Sequence, residues 1–372
     1  MNAPVLATPC HPTHESLAMG TQVQTCTVMV SDERSVPLVS IVMPVMNEAL
    51  FLDAGLCAIR KQTYPEGRME IFIVDGGSTD NTVACAEAFS SKDKRICVIS
   101  RGRLNCPQAM NVGIEQARGK YVAKIDGHGY VNERFIETAV ASMEADSRIH
   151  CVGGRIVPLA KTPAEKANSV ARFSPFGVGS GVYTLEPKVQ FVDTVQCGVY
   201  RRDALVRAGA FDPGLQFGED EEVNYRITAQ GGKILFHPDM VYHYCIRPSI
   251  KGLFRQYYGY GMARLKVLRK FPSFFRLKHI VPSAVVLSVT LSPIWLLLPS
   301  PWGILACVAP GLYFCFIAGG SIYLAARNRF PALHRIAASL MALHYGYGLG
   351  LLSGFFFREE RRNSNTRETP SG

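Results

Sequence analysis

A run of acidic residues stands in FGEDEEVNYR, residues 217–226 of a 372-residue chain whose formal net charge is +10. Such a run often forms only the solvated face or the first turn of a helix, which the helix dipole favours. One positioned carboxylate can instead act as a general base toward an attacking hydroxyl group. Glu219 and Asp220 are the candidates for that chemistry, and Glu221 and Glu222 are expected to favour the start of the helix EEVNYRITAQG.

Other polar residues follow apolar, β-branched runs. The runs are VSIVMPV (39–45), EIFIVDGG (70–77) and YVAKIDG (121–127). The polar and glycine residues at their ends or directly after them are Asn47, Glu48, Asp75, Gly77, Ser78, Asp126 and His128. DGGSTD alone is also a normal tight turn with a helix cap, and DGH is also a turn signal. Their shared position after predicted strands favours a ligand site over separate turns.

Asp75, Asp126 and His128 suggest a nucleotide and metal pocket. Asp75 can accept a hydrogen bond from a nucleobase, and Asp126 can hold a divalent cation together with diphosphate oxygens. An imidazole ligand from His128 suits Mn²⁺ somewhat better than Mg²⁺. The alternative is a histidine that caps a turn at the surface.

The elements that position these residues alternate between strand and helix. Strands are predicted at 39–45, 70–77, 96–100 and 121–127, with helices at 48–60, 80–89 and 106–119. This alternation predicts an α/β fold with a parallel sheet and crossover helices. Ligands of such sheets bind beyond the carboxyl ends of the strands, where the polar residues stand.

The C-terminal part is far more hydrophobic, although the whole chain is 48% hydrophobic and 19% charged. Residues 280–299 and 302–325 carry no charge and are predicted to cross the membrane as helices. Residues 336–356 contain His344 and four glycines, so they form either a third span or a packed interfacial helix.

Basic residues indicate the orientation. They cluster between 264 and 278 and at ARNR (326–329), which places both regions and the catalytic part on the cytoplasmic side. The predicted organisation is a mobile extension at 1–35, a catalytic domain at 36–271, a membrane region at 272–357 and a polar tail at 358–372. Lipid explains the basic cluster better than nucleic acid does, since the chain carries no nucleic-acid-binding signature.

Four motifs in this order, MPVMNE, IVDGGSTDNT, DGH and GEDEEVNYR, resemble glycosyltransferase family two, a GT-A family. Within it, residues 37–271 look like the bacterial exopolysaccharide branch with succinoglycan-type glucosyltransferases. The resemblance implies a Rossmann-like nucleotide-diphospho-sugar transferase domain. It also implies a nucleotide pocket at Pro44, Asn47 and Glu48, uracil binding by Asp75, a metal at Asp126 and His128, and Asp220 as general base, with Glu219 orienting the acceptor.

Three departures from the family pattern matter. Gly76 stands where a second aspartate is usual, so base recognition is expected to depend on Asp75 and the backbone. D-x-D is replaced by D-x-H, which leaves Mg²⁺ and Mn²⁺ both open. RQYYGYG, with Gly259 and Tyr260, replaces the Q-x-x-R-W of processive synthases, which favours transfer of a single sugar.

Further candidates lie between the pocket and the membrane. His243 and Arg247 are expected to reach the diphosphate, although a packed strand end is the alternative. An aromatic and basic amphipathic stretch is expected on anionic lipid, where it could meet a lipid diphosphate, although membrane contact alone would explain it; its residues are Arg255, Gln256, Tyr257 and Tyr260. FGVGSG (176–181) is interpreted as an acceptor-side flap.

These expectations together describe an inverting hexosyltransferase of the bacterial inner membrane. It would use a UDP-sugar, with UDP-glucose as the expected donor, a divalent cation and a polyprenyl-diphosphate-linked saccharide as acceptor. Other exopolysaccharide assembly proteins are possible partners. Two alternatives remain, a processive polysaccharide synthase and a catalytically silent scaffold that binds nucleotide.

Overall fold

Four parallel strands form the first half of the central sheet. The computed structural model describes residues 36–177, 187–295, 297 and 299–356, so the predictions for the N-terminal extension, for most of FGVGSG and for the polar tail lie outside the described residues. The strands are β1 (Val39–Val45), β2 (Met69–Asp75), β3 (Ile96–Ser100) and β4 (Tyr121–Lys124), in the order β3-β2-β1-β4. Helices α1 (Ala49–Arg60), α2 (Thr82–Ser90) and α3 (Cys106–Gln116) connect them. The predicted alternation is confirmed.

The second half of the sheet is mixed, which the sequence did not predict. Its strands are β5 (Gly129–Val131), β6 (Ile149–Leu159), β7 (Gln190–Val192), β8 (Val199–Arg201) and β9 (Lys233–Cys245). The order continues as β4-β8-β6-β9-β5, with β7 also paired to β9. β8 is antiparallel to β4 and β6, whereas β6 and β9 are parallel.

Helices cover both faces of this sheet. They include α4 (Phe135–Ala145), α5 (Pro163–Arg172), α6 (Arg202–Arg207) and α7 (Glu219–Ala229). Alternate residues of β1 enter two separate cores, because successive side chains of a strand point to opposite faces. Ile41 packs with α1 and α4 on one side, and Val42 packs with α3, α6 and α7 on the other.

The C-terminal part is helical. It consists of α8 (Ile250–Lys270), α9 (Val281–Trp295), α10 (Trp302–Ala306), α11 (Val308–Arg327) and α12 (Leu333–Phe356). Two stretches among the described residues, Trp302–Arg327 and Leu333–Phe355, are long and apolar enough to cross a membrane. The first predicted span is corrected: α9 has 15 residues, which reach only about 22 Å at 1.5 Å per residue. A span needs about 30 Å.

Helix α8 packs closely on α12, through glycines. A Cβ atom on Gly346 would lie 2.7 Å from the carbonyl oxygen of Phe254, and one on Gly261 would overlap the backbone at Tyr347. Small residues at helix interfaces allow such close approach. The lipid-facing prediction for α8 is therefore corrected in part, because Gln256 and Tyr257 are buried by protein while Arg255 is exposed.

Candidate active site

A cavity of about 1230 Å³ opens at the carboxyl ends of β1 and β4 and continues to the C-terminal helices. It brings together nine of the predicted site residues, namely Pro44, Glu48, Asp126, His128, Glu219, Asp220, Arg247, Tyr257 and Tyr260. Carboxylates line one end. The other end is apolar and includes residues of α9 and α11 such as Val285, Leu312 and Phe316. One continuous space thus joins a polar, strand-end site to the C-terminal helices.

The acidic end is organised around a buried lysine. Lys124, the last residue of β4, donates from Nζ to Glu219 Oε1 at 2.9 Å and to both oxygens of Asp220 at 2.9 and 3.0 Å. Its Nζ is also 3.4 Å from Asp126 Oδ1. Gly218, with φ of 74°, precedes α7 and turns the chain so that the first two helical residues reach the lysine.

The four acidic residues of the GEDEEV stretch therefore divide into two pairs. Glu219 and Asp220 face Lys124 in the cavity. Glu221 accepts from Arg264 at 2.6 Å, and the fully buried Glu222 forms ion pairs with Arg226 and Lys270. The second pair fixes α7 to its surroundings, which in turn fixes where the first pair points.

Burial and charge shift the carboxyl pKa values in opposite directions. Burial raises the pKa of Asp220 to about 7, with the neighbouring carboxylates of Glu219 and Asp126 adding to the rise and Lys124 opposing it. The pKa of Asp126 is lowered, because the charges of Lys124 and His128 outweigh its burial. Asp220 is thus poised to exchange a proton near neutral pH, whereas Asp126 stays ionised.

Asp126 and His128 fit a divalent cation. Within the part of the chain that the structure describes, the buried Asp126 Oδ1 has no hydrogen-bond partner, although Lys124 Nζ lies 3.4 Å away, and Oδ2 accepts from the Cys197 thiol at 3.5 Å. His128 Nδ1 lies 3.4 Å from Glu48 Oε1, which orients the ring. Within the described residues no three His, Cys, Asp or Glu side chains are grouped as a complete metal site. The protein would supply two ligands, and diphosphate oxygens and water the others.

The turn after β2 is tied to the turn after β1. Asn47, at φ of 57°, accepts from the Thr79 amide at 2.8 Å, and Ser78 Oγ accepts from the Asn47 amide at 2.9 Å. The Asp75 carboxylate accepts from the amides of Gly77 and Ser78 at 3.0 and 3.1 Å. Asp75, Gly77, Ser78 and Asn47 therefore shape the turn, and they do not line the described cavity.

Gly76 departs from the family pattern for a steric reason. A Cβ atom at this position would lie 2.6 Å from the carbonyl oxygen of Leu104, which is a backbone atom and cannot rotate away. Gly76 does line the cavity. The turn after β2 and the segment before α3 therefore lie too close together for an aspartate side chain at position 76.

Besides the residues of that turn, three predicted residues do not line the cavity, namely His243, Arg255 and Gln256. Tyr242 and Tyr244 on β9 line it, so strand alternation turns His243 to the opposite side, where it stacks on Tyr130 at 4.6 Å. Arg255 is exposed on α8, and it is separated from Tyr257 and Tyr260, which line the cavity. The prediction that His243 reaches the diphosphate is therefore corrected, because side chains alternate along a strand and those of Tyr242 and Tyr244 face the cavity.

Sequence reasoning missed two buried cations, Lys124 and Arg172. Lys124 is 1% exposed, and the signal for it was a lysine inside the apolar run YVAK. Arg172 is also buried, and it lines the middle of the cavity. Its guanidinium lies 4.7 Å from the centre of the Tyr244 ring, and the His128 ring lies 5.3 Å from the same ring. Helical periodicity alone gave no signal for Arg172.

Comparisons with known proteins agree with this architecture. The family described as glycosyl transferase family 2 matches residues 40–208. The succinoglycan biosynthesis protein ExoA of Rhizobium meliloti is 28% identical over 89% of this chain and 97% of its own length. Glycosyltransferase AglE of Haloferax volcanii is 30% identical over 60% of this chain and 72% of its own length.

A third relative is a Methanococcus voltae enzyme named as a dolichyl N-acetyl-alpha-D-glucosaminyl phosphate 3-beta-D-2,3-diacetamido-2,3-dideoxy-beta-D-glucuronosyltransferase. It is 26% identical over 85% of this chain and 98% of its own length. Among solved structures, the mannosyltransferase PcManGT of Pyrobaculum calidifontis superimposes with a TM-score of 0.58 at 17% identity, over 86% of this chain and 88% of that one. That likeness confirms the predicted GT-A fold. The chain belongs to glycosyltransferase family 2.

Proposed function

We propose that this glycosyltransferase is an inverting enzyme that moves a hexose, with glucose from UDP-glucose as the first donor to test, onto a polyprenyl-diphosphate-linked saccharide. It would act in exopolysaccharide assembly, from the cytoplasmic side of the bacterial inner membrane. One observation carries the proposal: a buried carboxylate with a pKa near neutrality, Asp220, lies in a cavity that also has an apolar wall from C-terminal helices. The cavity therefore offers a candidate for the base and an apolar wall on which a hydrocarbon chain could lie.

Asp220 would perform the proton transfer. As the acceptor hydroxyl attacks the anomeric carbon, its proton passes to a carboxylate oxygen of Asp220, and the bond from that carbon to the diphosphate oxygen breaks. Attack from the face opposite the diphosphate converts an α-linked donor into a β-linked product. Lys124 holds Asp220 in place by donating to both of its oxygens. The same lysine holds Glu219, which would orient the acceptor.

The donor would occupy the strand-end side of the cavity. Pro44 and Glu48 line that side, and the turn formed by Asn47, Asp75, Gly77 and Ser78 would border the base. A divalent cation bound by Asp126 and His128 would neutralise charge on the departing diphosphate. Lys124 faces three carboxylates, so a cation also offsets their excess negative charge.

Two relatives and the helices support the membrane part of the proposal. ExoA is named for succinoglycan biosynthesis, and the Methanococcus voltae relative is named for a dolichyl-phosphate-linked sugar. Among the described residues, Trp302–Arg327 and Leu333–Phe355 are long and apolar enough to cross a membrane. The domain limits 36–271 and 272–357 are part of this proposal, and α8, the last helix of the first region, packs on α12 of the second.

Radiolabel transfer tests the proposal. Membranes that contain the wild type or Asp220→Asn are incubated with labelled UDP-glucose, UDP-galactose or GDP-mannose, in the presence of Mn²⁺, Mg²⁺ or EDTA. We expect metal-dependent label in organic-extractable lipid with the wild type and about a hundredfold less with Asp220→Asn, whose UDP binding should persist. Turnover that survives in Asp220→Asn would remove this residue from the mechanism.

The same assay separates the alternatives. UDP binding without label from any donor, in membranes that hold lipid-linked acceptor, would favour the silent scaffold. A ladder of long products would favour a processive synthase. Gly259 argues against that synthase, because a Cβ atom there would overlap the Phe217 ring and leaves no room for the arginine of Q-x-x-R-W.

A further inference from the structure

Arg172 is a buried cation without a carboxylate partner in the described part of the chain. Its Nη1 donates to Tyr244 Oη at 3.1 Å and to Gln256 Oε1 at 3.3 Å, and its charge helps to lower the pKa of Tyr244 to about 8. The guanidinium also lies 5.4 Å from the centre of the Phe173 ring. Only 8% of the residue is exposed. Removing a charge from water without an opposing charge is costly, so an anion that enters the cavity would find a strong attraction here.

The surroundings of Arg172 fix its direction. Gln256 Nε2 donates to Tyr244 Oη at 3.0 Å and to Tyr260 Oη at 3.3 Å, so α8 and β9 hold the two acceptors of the guanidinium in one network. Arg247, on the chain after β9, also lines the cavity, and its backbone oxygen accepts from Asn168, which is on the same helix as Arg172. The planar guanidinium group of Arg172 can meet two oxygens of one phosphate or diphosphate group, a geometry that lysine cannot match.

Arg172 lies between the acidic and the apolar ends of the cavity. The Tyr244 ring separates it from His128, at 4.7 Å on one side and 5.3 Å on the other. Its helix is fixed to the C-terminal helices, because Asn168 on α5 accepts a 2.8 Å hydrogen bond from Ser339 on α12. Apolar residues of α9 and α11, including Pro282, Val285 and Leu312, continue the cavity wall.

We propose that Arg172, held by Tyr244 and Gln256 and assisted by Arg247, binds the phosphate or diphosphate of the membrane-embedded acceptor. The hydrocarbon tail then lies along the apolar wall of α9 and α11, and the saccharide points toward Asp220. This inference rests on the proposed function and names the acceptor subsite within it. The donor diphosphate is the competing anion, and it is disfavoured because Arg172 belongs to the side of the cavity built by α5, α8 and α12.

Binding of four probes to the full-length protein in detergent micelles tests the inference. The probes are farnesyl diphosphate, farnesol, inorganic diphosphate and UDP with Mn²⁺, each titrated by calorimetry. For Arg172→Gln we expect farnesyl diphosphate to bind about tenfold more weakly, the usual effect of losing a charged hydrogen-bond pair, and UDP to bind as in the wild type. Arg172→Lys should fall between the two, since it keeps the charge and loses the fork.

Arg207→Gln is the matched control, because Arg207 is an exposed arginine of α6 that pairs only with Asp203 at 2.7 Å among charged groups of the described chain. It should bind every probe like the wild type. Melting curves identify any unfolded variant, and Arg172→Lys decides the question if Arg172→Gln does not fold.

Three results would overturn the inference. UDP affinity that falls in parallel with farnesyl diphosphate affinity would assign Arg172 to the donor. Unchanged farnesyl diphosphate affinity would mean that Arg172 has only a structural role. Inorganic diphosphate that binds as tightly as farnesyl diphosphate would show that the hydrocarbon tail adds nothing to binding, so the ligand would not be a lipid. Failure of label transfer together with the expected probe pattern would refute the proposed function and leave this anion site in place.

Discussion

At the scale of single residues, the candidate active site depends on a balance between burial and one positive charge. Asp220 is 8% exposed, and its burial raises its pKa to about 7 even though Lys124 contacts both of its oxygens. A carboxyl group with an ordinary pKa would be a weak base at neutral pH. Lys124 offsets part of the rise in the pKa of Asp220, so this carboxyl group can still lose its proton near neutral pH and could then act as a base.

This balance predicts the pH dependence of transfer. If Asp220 is the base, only its ionised form can accept the proton, so kcat should rise with pH through about 7 and level off above it. Initial rates between pH 5.5 and 9, roughly two units either side of the raised pKa, would show this limb. A rate that is flat across this range would contradict Asp220 as the base.

Lys124→Met extends the test by removing the charge that opposes the rise. The pKa of Asp220 should then move further up, and the limb of kcat should move to higher pH. Breaking a buried ion pair should also cost about 3 kcal/mol of stability. Lys120→Met is the matched control, since Lys120 precedes the same strand, is half exposed and pairs with Glu144 at the surface. Its pH profile should equal that of the wild type.

At the scale of elements, the sequence predicted the parts whose signals are local. The strands β1 to β4 and helices α1 to α3 follow from β-branched runs and turn residues within a few positions. Strands β5, β7 and β8 have only three residues each, too few to show a period, and they exist because distant strands pair with them. Tertiary pairing, rather than propensity, decides such elements.

The candidate site was predictable to the same extent and for the same reason. Asp126, His128 and Asp220 carry local motifs, whereas Lys124 acquires its meaning from carboxylates that lie 95 and 96 positions further along the chain. Arg172 likewise depends on Tyr244 and Gln256, which come from other elements. The prediction for His243 was wrong because adjacent strand residues face opposite sides of the sheet, and the motif YHYC was interpreted without this alternation.

The contact between α8 and α12 gives a prediction at this scale. In Gly261→Ala the new methyl group would overlap the backbone at Tyr347 and Leu351, and backbone cannot move aside as a side chain can. We expect a loss of about 1–3 kcal/mol, the usual cost of overpacking. Melting of the detergent-solubilised protein would measure it.

Gly319→Ala is the control for that substitution. Gly319 is also helical, in α11, and a Cβ atom there would meet nothing within 4 Å among the described residues. Alanine should therefore be neutral or slightly stabilising, because it restricts the unfolded chain. Equal melting temperatures for Gly261→Ala and the wild type would show that α8 and α12 do not pack as closely as described.

At the scale of the whole molecule, the notable feature is an apolar outer surface on the C-terminal helices. Val308 and Ile322 on α11 are 49% and 60% exposed, and Leu291 and Ile294 extend the surface along α9. Soluble monomers rarely expose a continuous apolar patch of this kind. Other residues of α9 and α11, such as Val285 and Phe316, line the apolar end of the cavity, so the same helices build this surface and that end.

We therefore expect the protein to stay with membranes through a high-salt and alkaline carbonate wash and to be released by detergent. Salt screens the attraction between basic residues and anionic lipid, but it does not weaken burial of apolar side chains in the bilayer. The double variant Val308→Glu and Ile322→Glu should be released by the wash or degraded, because charge within the hydrocarbon region costs about 2.5–3.5 kcal/mol at each position. Val206→Glu, at a half-exposed apolar position on α6, should remain with the membrane. Release of the wild type by salt alone would mean that the protein attaches through its basic residues, and the acceptor would then have to leave the bilayer to reach Asp220.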